Sequence, residues 1–248
     1  MFLDKNLLAY SQTKYGQITY LKNDIYIASF YQNGVVPFQD IIENVLAKFI
    51  LNSKVVIDCG AHIGNHSIIY KYFNPDLEIY AFEPHSIMYE IFKLNISSLN
   101  LKSINLYNCA VGNKFGNVSV SDKISDGPNA NQIINYNNPH NFGGIQIAKT
   151  GIEDKVVIPI DYLNLNRCDF IKIDVEGFEF PVILGAINTI MKYKPVIFYE
   201  YNIKNMTNDM SEISGMPKDD GSGIFKILSS IGYNFHKIGD LDILAIPN

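Results

Sequence analysis

The sequence predicts one doubly wound α/β domain built on a mostly parallel sheet, and three observations carry that expectation. Between residues 54 and 111, short apolar runs alternate with helical patterns in the order strand, turn, helix, strand, helix, strand. The runs are nearly continuous rather than alternating, which suits parallel strands covered on both faces. Their ends carry polar groups: Asp58, Glu83, Asn108, Asp174 and Glu200. So many polar groups at strand ends are costly if merely buried, and a polar ligand at the carboxyl edge of the sheet explains them better.

The elements follow in order. Residues 17–21 and 25–30 are rich in β-formers and flank Lys22-Asn23-Asp24, which predicts an N-terminal hairpin. Pro37 opens a helix to about Leu51, with Ile41, Ile42, Val45, Leu46 and Phe49 at helical spacing. Strands are expected at 54–58, 77–83 and 104–111, with helices at 65–73 and about 85–99 between them. A strand at 118–123 precedes residues 125–144, which are rich in Asn, Gly, Pro and Ser and lack periodicity. A stretch of that length in a compact domain is functional or disordered. Residues 145–149 and 156–160 read as a pair of short strands. The main sheet resumes at 169–174, followed by a helix from Gly177 to Met191 and a strand at 194–201. Residues 203–223 read as a polar mobile loop, 223–233 as a helix stopped by glycine, and 234–238 with 241–246 as a terminal hairpin. The economical parse is a single domain over 1–248, with about 1–51 as an appendage to a core of about 54–248.

Composition narrows the class. Net charge is −5 and Arg167 is the only arginine, so the basic footprint of a nucleic-acid binder is missing and no nucleic-acid partner is expected. Cys59, Cys109 and Cys168 are odd in number and form no CxxC pair, which argues for buried free thiols rather than disulfides or structural zinc. No apolar run approaches the ~20 residues of a membrane span, and the N-terminus lacks a secretory pattern, so a cytoplasmic location is expected. The sequence carries no signal for oligomeric state. A homodimer is compatible with it, and the N-terminal hairpin could equally be a lid or a dimer contact.

Chemistry concentrates at the strand ends. The first turn reads Asp58-Cys59-Gly60-Ala61-His62-Ile63-Gly64-Asn65-His66-Ser67, where Gly60 and Gly64 allow close backbone approach. Glu83 closes the second strand, where an acid can accept hydrogen bonds from both hydroxyls of a ribose. The fourth core strand runs into Asp174, Glu176 and Glu179 around Gly177. Carboxylates at such an edge suit a cationic sulfonium, although Glu179 equally suits the dipole of the following helix.

DCGAHIGNHS, AFEPHSIMYEIFKLN, NCAVG, IKIDVEGFE with a following LGA, and PVIFYE stand in the order seen in FkbM-type methyltransferases, and the sequence resembles that family over about 54–201. It departs at His62, usually Asn, and at Cys59, usually Val. The resemblance implies a class I methyltransferase (Rossmann-like) fold, with a seven-stranded sheet ending in an antiparallel C-terminal hairpin. It implies S-adenosyl-L-methionine as cofactor. Asp58, Gly60, His62, Gly64, Asn65 and Ser67 would shape the methionine pocket, and Glu83 would hold the ribose. Pro84 and His85 would line the adenosine site, with Asn108 and Ala110 against the adenine. Asp174 and Glu176 would face the transfer centre. Asn141, Gly143 and Gly144 of the central loop, with Glu200, would meet the acceptor.

The reaction expected is O-methylation of a sugar, glycan or small metabolite, as in the polysaccharide pathways where the family occurs. The general base is Asp174 by position or His140 by its ordinary pKa. A divalent metal on Asp174 and neighbouring carboxylates is a further option without a convincing ligand set in the sequence. Two rivals stand beside this reading. A NAD-dependent oxidoreductase or epimerase lacks its GxGxxG turn here, and a catalytically silent binding module has only His62 in its favour.

Overall fold

The computed structural model describes residues 3–125, 128–202, 208–217 and 221–248. Its centre is a seven-stranded sheet. In chain order the strands outside and inside it begin with β1 (Leu8–Thr13) and β2 (Gly16–Leu21), an antiparallel hairpin of their own. Helix α1 (Ile25–Tyr31) follows. The hairpin expected over 17–21 and 25–30 is therefore corrected: its second arm is helical. Asp24 caps α1 by accepting from the Tyr26 and Ile27 amides, each at 3.2 Å. That cap, with Ile27, Ala28 and Tyr31 buried on one face, outweighs the β-propensity of the isoleucines and tyrosines. The turn lies instead at Lys14-Tyr15, closed by Gly16 at φ 110° and by Thr13, whose hydroxyl accepts from the Tyr15 amide.

The expected helix near Pro37–Leu51 is present as α2 (Gln39–Ile41) and α3 (Ala47–Ile50), joined by a π-helical turn at Ile42–Leu46. The core then alternates as the sequence predicts: β3 (Val55–Cys59), α4 (Asn65–Phe73), β4 (Glu78–Phe82), α5 (Ser86–Ser98) and β5 (Ile104–Tyr107). The strand expected over 104–111 divides at Asn108. Its side-chain amide donates to the carbonyls of Glu83 at 2.8 Å and Pro84 at 3.0 Å, which turns the chain out of the sheet. β6 (Ala110–Val111) therefore joins a second sheet.

That second sheet contains β7 (Gly116–Ile124), β8 (Ile145–Ala148) and β9 (Glu153–Ile158), in the order β6-β9-β7-β8. The two short strands expected at 145–149 and 156–160 are β8 and β9, the second beginning earlier at Glu153, and they flank β7, one on each side. β10 (Phe170–Ile173) returns to the main sheet. The single helix expected over 177–191 is two, α6 (Glu179–Gly185) and α7 (Ile187–Tyr193). Asp161 caps the second by accepting from the Thr189 amide at 2.8 Å and the Asn188 amide at 3.0 Å. β11 (Val196–Glu200), α8 (Asn208–Ser214), α9 (Ser222–Ser230) and the hairpin of β12 (Tyr233–Ile238) with β13 (Asp242–Pro247) complete the chain. The mobile loop expected over 203–223 contains α8; residues 203–207 and 218–220 lie outside the described residues.

The main sheet runs β12-β13-β11-β10-β3-β4-β5, parallel from β11 to β5 and antiparallel at β13 and β12. Alternate strand residues feed two cores. Val56, Ile79, Phe170 and Phe198 pack with the N-terminal elements, α4 and α5; Ile57, Phe82, Ile171 and Ile197 pack with α6, α7, α9 and the second sheet. All three cysteines are buried and free.

Candidate active site

The strand order creates the site. β3 is flanked by β4 on one side and β10 on the other, so the turn after β3 stands where chain direction across the sheet reverses. A cleft of about 440 Å³ opens there. Gly60, Ala61 and His62 form its middle, Glu83, Pro84, His85 and Ala110 one side, and Asp174, Glu176 and Glu200 the other.

The turn after β3 is held tightly. Gly60 has φ 73°, and a Cβ there would stand 1.7 Å from the Asp174 carbonyl oxygen. Gly64, at φ 93°, lies against the Phe92 ring, where a Cβ would come within 2.2 Å. His62 adopts φ 52°, a conformation side chains rarely take, and its amide donates to Glu83 Oε2 at 2.7 Å. Glu83 Oε1 accepts from the His85 amide at 2.8 Å. Burial pushes the Glu83 carboxyl up to about 7 despite those two amides. Each oxygen can accept a second hydrogen bond.

Beneath the turn lies a charge that sequence reasoning missed. Lys172, 2% exposed, donates from Nζ to the Gly60 carbonyl at 2.6 Å and the Cys59 carbonyl at 3.2 Å. It lies 3.5 Å from Asp58 and 3.5 Å from Asp174. Burial opposes its charge, and the carboxylates of Asp174 and Asp58 outweigh burial and raise its pKa. The available signal was a lysine within the apolar run Phe170–Ile173, where nothing but a paired charge belongs.

The expected site residues divide into wall and support. Gly60, His62, Asn65, Glu83, Pro84, His85, Ala110, Asn141, Gly143, Asp174, Glu176 and Glu200 line the cleft. Asp58, Gly64, Ser67, Asn108, His140 and Gly144 do not. Asp58 is fully buried and accepts from the Ser67 hydroxyl at 2.6 Å, so both stand behind the turn. Asn108 has its amide on the Glu83 and Pro84 carbonyls, and its oxygen accepts from Ser86 and Lys155, which turns it away from the position expected for an adenine contact. His140, expected in an open loop, is 2% exposed with its ring 5.6 Å from that of Phe142, which does line the cleft. Glu179 accepts from the Val175 and Gly177 amides and so holds the turn that presents Glu176. Burial pushes its carboxyl up to about 7.

Further wall residues were absent from the sequence expectation: Tyr26 and Ile27 from α1, Phe38, Phe142, Asp240 from the β12–β13 turn and Asp242 at the start of β13. Burial, then the Asp174 charge, raises the Asp242 carboxyl to about 6. Carboxylate oxygens of Asp174, Glu176 and Glu200 come within 4.8 Å of one another. Divalent cations bind oxygens at roughly 2.0–2.6 Å, so that spacing fits a metal.

Comparisons with known proteins agree with this geometry. A family model described as the methyltransferase FkbM domain matches residues 58–235. The chain is 22% identical over 181 residues to Methyltransferase 1 of Beauveria bassiana (strain ARSEF 2860), covering 68% of this chain and 67% of that one. The crystal structure of methyltransferase FkbM from Methylobacillus flagellatus KT superposes with a TM-score of 0.51 at 16% identity. That match covers 78% of this chain but only 43% of the other, so the chain spans less than half of that relative. Among the described residues, no helix is long and apolar enough to cross a membrane.

Proposed function

The chain belongs to the FkbM family of S-adenosylmethionine-dependent methyltransferases, and we propose that it methylates a hydroxyl group of an uncharged, hydroxylated acceptor, a sugar, a glycan or a small metabolite. The observation that carries this is the placement of Asp174: it directly follows β10 in the cleft wall, ion-paired to Lys172, across the glycine turn from the ribose-type acid Glu83.

The residues present fit the cofactor. A buried carboxylate with a raised pKa lines a cleft and retains acceptor capacity, which two ribose hydroxyls would use. Phe82, Met88, Ala110 and Ile147 give that side of the cleft apolar surface for a purine. The carboxylates of Asp174, Glu176 and Glu200 give the other side negative potential for a sulfonium and an ammonium. When bound, S-adenosylmethionine supplies a methyl carbon already activated by its positive sulfur. The chain's own part is to align the acceptor, exclude water and take up a proton. Asp174 Oδ accepts the acceptor's hydroxyl proton, with Lys172 fixing the carboxylate's place. His140 lies outside the cleft wall, which favours Asp174 over it as base. Asn141 and Gly143 supply polar contacts for the acceptor.

The acids also weigh against a phosphorylated or carboxylated acceptor. Among the described residues Lys172 is the lysine or arginine of the cleft wall, and its four contacts commit it to Cys59, Gly60, Asp58 and Asp174.

The spacing of Asp174, Glu176 and Glu200 favours a second form of this reading, in which the three hold a divalent cation that orients and acidifies the acceptor hydroxyl. One assay tests both: transfer of a labelled methyl group to a panel of neutral, amino and phosphorylated sugars, with and without chelator. Transfer to neutral sugars that Asp174→Ala abolishes supports the proposal. Undiminished turnover in Asp174→Ala refutes Asp174 as base, and full activity after chelation refutes the cation.

A further inference from the structure

Three walls of the cleft converge on one carboxylate that does not itself line it. Asp24 is fully buried and precedes α1. Its Oδ1 accepts from the Tyr26 and Ile27 amides, and both of those residues line the cleft. Its main chain is paired with the segment around His140: the Ile25 amide donates to the His140 carbonyl at 2.9 Å, and the His140 amide donates to Asn23 at 3.0 Å. The Phe142 amide adds to the polar field around its side chain. The remaining oxygen, Oδ2, lies 4.0 Å from His62 Nε2. Among the described residues neither of these two atoms has a hydrogen-bond partner, and neither is reached by water.

Two polar atoms enclosed together without partners are a costly arrangement that a movement of about 1 Å would relieve by making one hydrogen bond. Burial pushes the Asp24 carboxyl up to about 7 and the His62 imidazole down to about 3, with His85 and Lys172 adding to the latter. Burial thus disfavours the charged form of each group, and a proton on either Oδ2 or Nε2 would make the hydrogen bond. His62 also donates its amide to Glu83, so it is tied to the acid assigned to the ribose.

We propose that Asp24 and His62 are a positioning pair: as the cofactor fills the turn after β3, they close to hydrogen-bond contact and draw α1 and the 141–143 strip onto the acceptor, with Tyr26 as a contact residue. This rests on the reading of that turn as the cofactor site. Tyr26 suits the part because it stands in the cleft wall beside Asp174, Asp242 and Glu200, whose charges, after burial, raise its phenol pKa. Its aromatic face can pack on a sugar ring while its hydroxyl stays hydrogen-bonded.

The test uses S-adenosylhomocysteine and amide hydrogen exchange. Asp24→Ser keeps an oxygen for the helix cap and removes the one that faces His62. In the native protein, the ligand slows exchange in residues 25–31 and 141–144 by about tenfold. In Asp24→Ser it binds within about threefold of native affinity, yet residues 25–31 no longer respond. Equal slowing in Asp24→Ser and native protein, or native binding with no slowing in either segment, overturns the proposal. A second measurement stands beside it, the thermal midpoints of Asp24→Ser, His62→Asn and the double variant with and without S-adenosylhomocysteine. His62→Asn suits the backbone because asparagine tolerates φ 52°. Because the two atoms stand 4.0 Å apart without a hydrogen bond when ligand is absent, the pair predicts non-additive midpoints with ligand bound, and strict additivity there overturns it. If the native protein binds no S-adenosylhomocysteine, the cofactor reading falls and the closure with it, whereas binding without slowed exchange overturns the closure alone.

Discussion

The ammonium group of Lys172 lies 3.5 Å from a carboxylate oxygen of Asp174, two residues further along the same chain at the end of β10. The same ammonium lies 3.5 Å from Asp58 at the end of β3, so one buried cation joins the two central strands beneath the cleft. A buried charge set of this kind is expensive to form and more expensive to break, since the partner left behind is unpaired. Lys172→Met is therefore expected to lower the stability of the ligand-free protein by about 3–5 kcal/mol. Denaturant titration checks this. A loss below about 1 kcal/mol would mean that Asp58 and Asp174 are satisfied without it.

If Asp174 is the proposed base, its substitution separates chemistry from binding. Asp174→Asn keeps the side chain's size and removes its capacity to take a proton. Turnover is expected to fall by about 10²–10⁴-fold, with S-adenosylhomocysteine affinity changed by less than about tenfold. Parallel steady-state kinetics and calorimetry read the two quantities. Equal losses in both would assign Asp174 to cofactor binding alone.

Gly60 carries a steric demand. Its φ of 73° is left-handed, and a Cβ would fall 1.7 Å from the Asp174 carbonyl oxygen, a backbone atom rather than the end of a flexible side chain. Gly60→Ala is expected to cost about 1–3 kcal/mol or more and to weaken S-adenosylhomocysteine binding by disturbing the turn. Thermal unfolding with and without ligand measures both. An unchanged midpoint would contradict the tightness of this contact.

Stability and pH are linked through the buried carboxyls. Burial raises Glu83 and Glu179 from 4.5 to about 7, so between those values the folded state holds more protons than the unfolded one. Stability is then full below pH 4.5 for these two groups and is lost as pH rises toward and through about 7. His62, His66 and His85, whose pKa values burial lowers, contribute the opposite slope below about 6.5, so the carboxyl contribution is read as the difference between native and Glu83→Gln thermal midpoints, which is expected to fall across that window. Glu83→Gln should flatten part of the slope, and thermal scans at fixed ionic strength check it.

The fold was legible wherever period and length agree. The β3-α4-β4-α5 alternation, the acid at the end of β4 and the terminal hairpin follow from apolar runs bounded by turns. Misreadings came where one side chain decides the chain's path. Asp24 makes residues 25–31 a helix, Asn108 divides a strand between two sheets, and Asp161 starts a second helix beyond Gly185. In the site, residues adjacent to glycine turns and strand ends were readable because their position alone implies the cleft. Lys172, Tyr26 and Asp242 were not, because each reaches the cleft through tertiary packing or strand order. His140 and Asn108 show the converse: their residue types suit a site, but their hydrogen-bonding and burial place them behind its wall.

The most direct test of the central claim is calorimetric titration of the native protein with S-adenosylhomocysteine and, separately, with NAD, repeated on Glu83→Ala. The account predicts that the native protein binds S-adenosylhomocysteine, does not bind NAD, and loses at least about tenfold in affinity for the former when Glu83 is removed. Binding of NAD alone, or S-adenosylhomocysteine binding untouched by the loss of Glu83, would contradict it.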